Sequence, residues 1–235
     1  MKILGVESSA VAASAAVVED GTVKSLQFLN TGLTHSQTLM PMIAEALKGA
    51  VTDIKDIDYI AVSNGPGSFT GVRIGVAAVK GLAWPLNIKC VGVSSLAAIA
   101  KPLESSGGYA VSVMDARCRQ FYTATFDCSD GIRRVTPDRA LSFEELRDSL
   151  SLLTNKRIIL IGDGAALCYG MIKDYIPDIS LAGAGIRYQN AASVALEAES
   201  MILADENAAV DASALLPEYL RLSQAERELK LKKTN

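Results

Sequence analysis

Apolar residues in this chain come in short runs separated by turn residues, and the spacing within each run indicates a strand or a helix. In the first hundred residues, three strands run back and forth with a tight turn at 19–22, and helices then alternate with strands. Strands are predicted at 2–7, 12–18, 23–29, 59–62 and 88–93, and helices at 36–48, from Gly71 onward, and after Ser94, which caps its helix.

The same order begins again after the polar, glycine-containing stretch 103–108. Two successive units of three strands followed by alternating helix and strand are typical of a duplicated mixed α/β fold. The sequence therefore predicts two similar lobes, 1–102 and 103–235. Strands of the second unit are predicted at 109–114, 121–126, 132–135 and 157–161, and helices at 142–150, after Gly164, at 190–204 and after Pro217.

The helix that begins at Gly71 is apolar almost all the way round, since Arg73 and Lys80 are its only charged residues. A helix with one side on a sheet shows a wider polar face, so a second covered side is predicted, from this chain or from another. Small side chains at Gly75 and Ala78 would let another helix approach closely. The predicted contact residues on this helix and on the helix at 36–48 are Leu39, Met42, Ile43, Leu47, Val72, Gly75, Val76, Ala78, Val79 and Leu82.

The loop Asn64-Gly65-Pro66-Gly67 ends the strand at 59–62 sharply and leads into this helix. Loops of this kind bind phosphate at helix N-termini, and they also serve simply as tight connections. The loop lacks the Gly-Lys-Ser/Thr ending of a P-loop and the fingerprint of a dinucleotide-binding fold. The loop alone therefore identifies no ligand.

Composition limits the possible functions. Hydrophobic residues make up 49% and charged residues 21% of the 235 residues, and the net charge is −3. This balance gives no strong field that would attract nucleic acid. The longest apolar stretch near the start, 10–18, is too short to cross a membrane. We therefore expect a cytoplasmic protein that does not bind a membrane.

Residues that could carry chemistry are few. The four cysteines stand far apart with no Cys-x-x-Cys pair, which predicts reduced structural thiols and no zinc site. His35 is the single histidine, so a mechanism that needs two histidines from this chain is excluded. Ser8, Ser9 and Ser68 have no histidine near them in sequence, so a Ser-His-Asp triad has little support.

Several segments together resemble the TsaB (YeaZ) family, a subunit of the bacterial machinery that makes threonylcarbamoyladenosine in tRNA. The stretch 63–75 is the most specific, and 3–9 resembles the family's opening strand, with Glu7 where Asp is usual. Segments 35–41, 115–117 and 217–221 also agree with family motifs, so the resemblance runs nearly end to end. The matching positions are Glu7, Ser8, His35, Asn64, Gly65, Pro66, Gly67, Ser68, Thr70, Gly71, Arg73, Asp115 and Arg117.

The resemblance implies an α/β protein with the actin-like, Hsp70-like ATPase (ASKHA) fold, in which two similar lobes each hold a mixed sheet flanked by helices. TsaD, the catalytic relative, carries a His-x-x-x-His metal motif on its first-lobe helix, whereas here His35 is followed by Leu39. Two histidines at i and i+4 would hold a metal together, and a histidine with a leucine does not. We therefore expect no metal on this helix, a helix-start or contact role for His35, and turn roles for Glu7 and Asp115.

The function implied by the resemblance is that of a non-catalytic scaffold. Such a subunit binds TsaD through its first-lobe helices, assembles with the ATPase TsaE, reaches tRNA only through the complex, and forms a homodimer when alone. It holds no cofactor by itself, while ATP or ADP binds at the level of the complex. The alternative is an independent enzyme, either a glycoprotease-like endopeptidase or an ASKHA-type ATPase or kinase. The tail 226–235 is interpreted as a solvated helix end, with RNA contact as the alternative.

Overall fold

The computed structural model describes residues 1–153 and 156–221, which form two mixed β-sheets with helices on their faces. The strands are β1 Lys2–Glu7, β2 Ala13–Glu19, β3 Thr22–Leu29, β4 Tyr59–Gly65, β5 Lys89–Ser94, β6 Tyr109–Asp115, β7 Gln120–Asp127, β8 Arg133–Arg134, β9 Arg139–Ser142, β10 Ile158–Ile161 and β11 Ile179–Leu181. The helices are α1 His35–Gly49, α2 Phe69–Ala83, α3 Ser95–Ala100, α4 Phe143–Ser151, α5 Ala165–Ile172 and α6 Ala191–Ala204.

The first sheet has the strand order β3-β2-β1-β4-β5, in which β1 pairs antiparallel with β2 and parallel with β4. Successive side chains of a strand point to opposite faces, and β1 shows the consequence. Leu4 faces the core that α1 and α2 cover, while Ile3 faces the core under α6. The predicted hairpin turn is confirmed, since Asp20 and Gly21 have φ of 48° and 72°, as a two-residue turn between twisted strands requires.

The second sheet has the order β11-β10-β6-β7-β8, with β9 also paired to β7. Helices α4 and α5 pack on one face, and α3 packs on the other. The helix starts follow the sequence: Ser94 caps α3 through Ala97 N–H, and Ser142 forms a capping box with Glu145 in α4. The predicted pair of similar mixed α/β lobes is therefore confirmed.

The division of the chain between the lobes differs from the predicted boundary at residue 102. Helix α6 packs on β1, β2, β4 and β5, so it belongs to the first lobe although it follows the whole second sheet in sequence. Val210 then exchanges two backbone hydrogen bonds of 2.8 Å with Cys90 on β5. The first lobe thus contains α6 and the stretch after it, because the apolar residues of α6 fit the face of the first sheet that α1 and α2 leave uncovered.

One helix prediction is corrected, and one helix contains a proline. Pro41 lies in the second turn of α1, at an exposed position where water can bind the carbonyl group that has no backbone donor. The helix predicted after Pro217 is absent over 217–221, and the rest of that prediction, with the tail 226–235, lies outside the described residues. No helix among the described residues has the length and apolar character needed to cross a bilayer.

Candidate functional site

Three acidic side chains, Glu7, Asp115 and Asp163, stand at or just after the carboxyl ends of β1, β6 and β10, and they lie close enough for the charge of one to act on the next. Glu7 at the end of β1 is fully buried, and its two oxygens accept the Ser9 N–H at 2.5 Å and the Ser63 hydroxyl. Burial raises the pKa of Glu7 above its ordinary value, and the charge of Asp163 raises this pKa further. Glu7 is therefore an enclosed carboxyl group with both oxygens occupied by the chain's own donors.

Asp163 is the acid that sequence reasoning missed. It follows β10 and accepts a 2.6 Å hydrogen bond from Gln189 Nε2. Burial raises the pKa of Asp163, and the negative charge of Asp115 adds to this effect. Asp115 itself is exposed and accepts the Arg117 N–H at 2.7 Å. The sequence does contain a pattern that could have identified Asp163. This residue follows a buried strand, within Gly162-Asp163-Gly164, in the same way that Glu7 and Asp115 stand at the ends of theirs.

Among the described residues, no group of three or more His, Cys, Asp or Glu side chains is placed to hold a metal ion. His35 starts α1, and its Nε2 lies 2.7 Å from the carbonyl oxygen of Ala10. Leu39, four residues on, is 1% exposed and packs in the first-lobe core. All four cysteines are free, and Cys118 is the exposed one. The expectation that α1 holds no metal stays a prediction.

The glycine loop between β4 and α2 is shaped by backbone segments that approach it closely. A Cβ atom at Gly65, where φ is +136°, would lie 2.0 Å from the Glu218 carbonyl oxygen. A Cβ atom at Gly71 would lie 2.1 Å from the Ser8 carbonyl oxygen. Glycine is required at both positions because another main chain fills the space that a side chain would occupy. Gly67 and Pro66 complete the turn, with Pro66 buried.

The N-terminus of α2 is bound to groups of the chain itself. Ser68 caps the helix, because its hydroxyl accepts the Gly71 N–H at 3.2 Å, and its own N–H donates to the Ser9 carbonyl oxygen at 2.6 Å. The buried Ser8 hydroxyl donates to the Gly71 carbonyl oxygen at 2.9 Å, while Thr70 is exposed. These contacts join the loop to the turn after β1.

The residues after α6 supply the second covered side of α2 that its apolar sequence predicts. Lys80 Nζ donates to the carbonyl oxygens of Ser213 and Leu215, each at 3.1 Å. Asn64 on the glycine loop donates through Nδ2 to the Leu216 carbonyl oxygen at 3.2 Å and accepts the Glu218 N–H at 2.7 Å. The covering segment therefore comes from this chain.

The C-terminal family motif also meets the other two motifs. Tyr219 stacks on Phe69 of α2 with ring centroids 4.5 Å apart. The Arg73 guanidinium carbon lies 3.8 Å from the centre of the Phe69 ring, and Arg73 Nε donates to the Tyr219 hydroxyl at 2.8 Å. Arg221 Nη1 donates to the carbonyl oxygen of Ala116 in the second lobe at 3.1 Å. The segment 217–221 thus contacts both of the other motif segments, 63–75 in the first lobe and 115–117 in the second.

Most of the predicted contact residues on α1 and α2 face inward, which corrects the predicted contact surface. The physical reason is that α1 and α2 use their apolar faces to cover the first sheet. Leu47, Ala78 and Leu82 are partly exposed. The residues buried in the first lobe are Leu39, Met42, Ile43, Val72, Gly75, Val76 and Val79.

The outer face of these two helices carries small and apolar side chains that sequence reasoning did not single out. Met40 and Ala44 are exposed on α1, and Ala77 and Gly81 are exposed on α2. Trp84, at the C-terminal end of α2, is 63% exposed. Positions 77, 81 and 84 follow helical spacing and share one side of α2. We refer to these five residues as the outer helix face.

The arrangement of two lobes, each with a mixed sheet and flanking helices, defines a protein of the actin-like ATPase fold class. Component A of (R)-2-hydroxyglutaryl-CoA dehydratase from Acidaminococcus fermentans shares this fold, with a TM-score of 0.53 and 10% sequence identity. That comparison covers 84% of this chain and 97% of the other.

Closer relatives define the family. The family model described as "TsaD: tRNA N6-adenosine threonylcarbamoyltransferase" matches residues 30–229. The tRNA threonylcarbamoyladenosine biosynthesis protein TsaB of Bacillus subtilis is 32% identical over 229 residues, which are 96% of each chain. A Pseudomonas aeruginosa structure, described as an uncharacterized protein with similarity to peptidase YEAZ, has a TM-score of 0.78 and 25% identity over 94% of this chain and 99% of that one. The chain belongs to the TsaB (YeaZ) family.

Proposed function

We propose that this chain is a non-catalytic subunit that binds TsaD and supports transfer of a threonylcarbamoyl group to the tRNA adenosine beside the anticodon. Membership of the TsaB family and the match to the TsaD family model support a role in threonylcarbamoyladenosine biosynthesis. In this proposal TsaE joins the assembly, a TsaC-type synthase supplies the carbamoyl-adenylate donor, and tRNA contacts the chain only through the complex.

The observation that carries the proposal is the filling of the glycine loop by the chain's own backbone. Segments at Ser8 and Glu218 occupy the space beside Gly71 and Gly65, and Ser68 caps α2. A helix N-terminus binds phosphate through unpaired N–H groups. Here the Gly71 and Ser68 N–H groups already have partners. The loop therefore favours internal packing, and any nucleotide is assigned to the complex.

The outer helix face is the proposed contact with TsaD. Its residues are small or apolar, and an exposed apolar surface of this kind is typical of a protein interface. The core-facing side of α1 and α2 fixes the helices on the first sheet, so the opposite side is presented rigidly. The same face would pair with a second copy when TsaD is absent, so the two assemblies exclude each other.

Reconstitution tests the proposal against the alternative of an independent enzyme. The purified chain alone is expected to hydrolyse neither nucleotide nor peptide. Added to TsaD, TsaE, the carbamoyl-adenylate donor and unmodified tRNA, it is expected to co-purify with TsaD and raise the yield of modified adenosine. Peptide cleavage or nucleotide turnover by the chain alone, lost in Glu7→Gln, would favour the independent enzyme.

A further inference from the structure

The stretch after α6 begins as a firm part of the first lobe. Val210 pairs with Cys90 at the edge of the first sheet, and Leu215 is 2% exposed in the core below α2. One methyl group of Leu215 would lie 3.4 Å from a Cβ atom at Gly92. Up to residue 215 the segment is therefore anchored by buried contacts.

From residue 216 the character of the contacts changes. Leu216 is 65% exposed, and Tyr219 and Leu220 are each 41% exposed. Polar and aromatic contacts hold residues 216–221 on the first lobe. They are the two hydrogen bonds with Asn64 and the contact of Tyr219 with α2. Elements with few buried apolar contacts open locally at low free energy, so this part can detach while residues up to 215 stay in place.

The far end of the same segment reaches the second lobe. Arg221 donates to the Ala116 carbonyl oxygen, and the three residues that follow Ala116 all have left-handed backbones. Arg117, Cys118 and Arg119 have φ of 63°, 52° and 56°. Residues other than glycine hold such conformations only where surrounding contacts maintain them. The bond from Arg221 is one of those contacts.

We propose that residues 216–221 form a latch that sets the angle between the two lobes. Tyr219 anchors the latch on α2 of the first lobe, and Arg221 anchors it on the loop after β6 of the second lobe. Only four residues separate Leu216, which Asn64 binds, from Arg221, so loosening of the segment at one anchor reaches the other anchor. The latch acts in the isolated chain and does not depend on the proposed partner.

Hydrogen exchange in the full-length chain tests whether the two anchors are connected. Tyr219→Ala removes a contact with the first lobe only, yet the latch predicts faster exchange at 116–120 in the second lobe. Arg221→Ala is expected to speed exchange there about tenfold, the factor that loss of one hydrogen bond to a charged group gives. Leu220→Ala is the matched control, since residue 220 lies between Tyr219 and Arg221 in sequence and its side chain is 41% exposed. This variant is expected to exchange like the parent.

A distance measurement gives an independent readout. Gly81→Cys on α2 and Gly170→Cys on α5 place spin labels on exposed helix positions with open space, one in each lobe. Cys118→Ser removes the exposed native thiol. Tyr219→Ala and Arg221→Ala are each expected to shift or widen the distance distribution between the lobes, and Leu220→Ala to leave it unchanged. If Tyr219→Ala alters exchange only in the first lobe and neither variant changes the distance distribution, residues 216–221 do not act as a latch.

Discussion

Glu7 lies where the family resemblance places an acid, and its surroundings explain how a carboxyl group is tolerated in the core. A buried polar group costs stability unless it is hydrogen bonded. Ser9 and Ser63 donate to its two oxygens, and burial shifts its pKa upward so that the neutral form is favoured. Glu7 therefore makes the free energy of unfolding depend on pH.

The pH dependence of stability tests this description of Glu7. Because its pKa is higher in the folded chain than in the unfolded chain, the native state keeps a proton that the unfolded state loses as pH rises. Stability therefore falls as pH rises from the ordinary glutamate pKa through the raised value. Glu7→Gln removes this loss of stability. The free energy of unfolding of the variant minus that of the parent should therefore increase, as pH rises through that window, by up to about 1.4 kcal/mol per pH unit. Urea unfolding between acidic and neutral pH measures it.

The parent chain, measured over the same pH range, is the reference for that measurement. If the Glu7→Gln curve runs parallel to that of the parent, the folded chain does not raise the pKa of Glu7, and the description is wrong.

Glu7 and Asp115 together test the non-catalytic role. Glu7→Gln and Asp115→Ala are expected to retain most of the TsaD-dependent modification of tRNA. Both oxygens of Glu7 are occupied by donors of the chain itself, and neither acid belongs to a group of three metal-ligating side chains among the described residues. The activity that each variant retains is measured as the yield of modified adenosine in the reconstituted system. Loss of a true catalytic group costs about a thousandfold. A loss on that scale in a folded variant that still captures TsaD would contradict the scaffold proposal.

At the scale of elements, α2 shows how an apolar helix is covered on more than one side. The first sheet and α1 cover the side that carries Val72 and Val79, and the segment with Leu215 covers another. What is left in solvent is a narrow stripe that includes Gly81. Val79→Glu would consequently place a charge in the core and unfold the lobe, so it cannot probe an interface.

Two glycines allow a matched test of the outer helix face. Gly81 and Gly170 are each third from the end of an exposed helix, in different lobes, and a Cβ atom at either position meets no atom within 4 Å. Gly81→Arg is expected to abolish both capture of TsaD and self-association, because a bulky charge would enter the contact. Gly170→Arg should leave both intact.

Folding of these two variants should be unaffected, since replacing glycine in a helix tends to stabilise it by about 1 kcal/mol. Pull-down and sedimentation velocity measure the two assemblies, and thermal unfolding confirms the fold. Capture of TsaD by Gly81→Arg at the parent level would show that the contact lies elsewhere on the molecule.

At the scale of the whole molecule, the order of elements along the chain was enough to predict two similar lobes, because alternating apolar runs define strands locally. The same order could not assign α6, since its apolar residues would fit any apolar sheet face and only the packed structure shows which one is free. The glycine loop was equally ambiguous. Gly65 and Gly71 are explained by segments at Glu218 and Ser8 that are distant in sequence.

Two neighbouring leucines test whether the C-terminal stretch is an integral part of the first lobe. Leu215→Ala is expected to lower the free energy of unfolding by about 2–4 kcal/mol, because it leaves a cavity under α2. Leu216→Ala removes a side chain that is mostly in solvent and should cost less than about 0.5 kcal/mol. Urea unfolding measures both values. Equal, small effects would mean that the stretch adds little to the stability of the lobe.

The position of Trp84 gives the molecule a built-in optical reporter. It is the only tryptophan in the chain, so the whole indole fluorescence comes from one site at the end of α2. Since the ring is largely in water when the chain is alone, the emission maximum of the free chain should lie at long wavelength, and iodide should quench the emission readily. A protein that covers the outer helix face would shift this emission to shorter wavelength and shield it from the quencher, without any label.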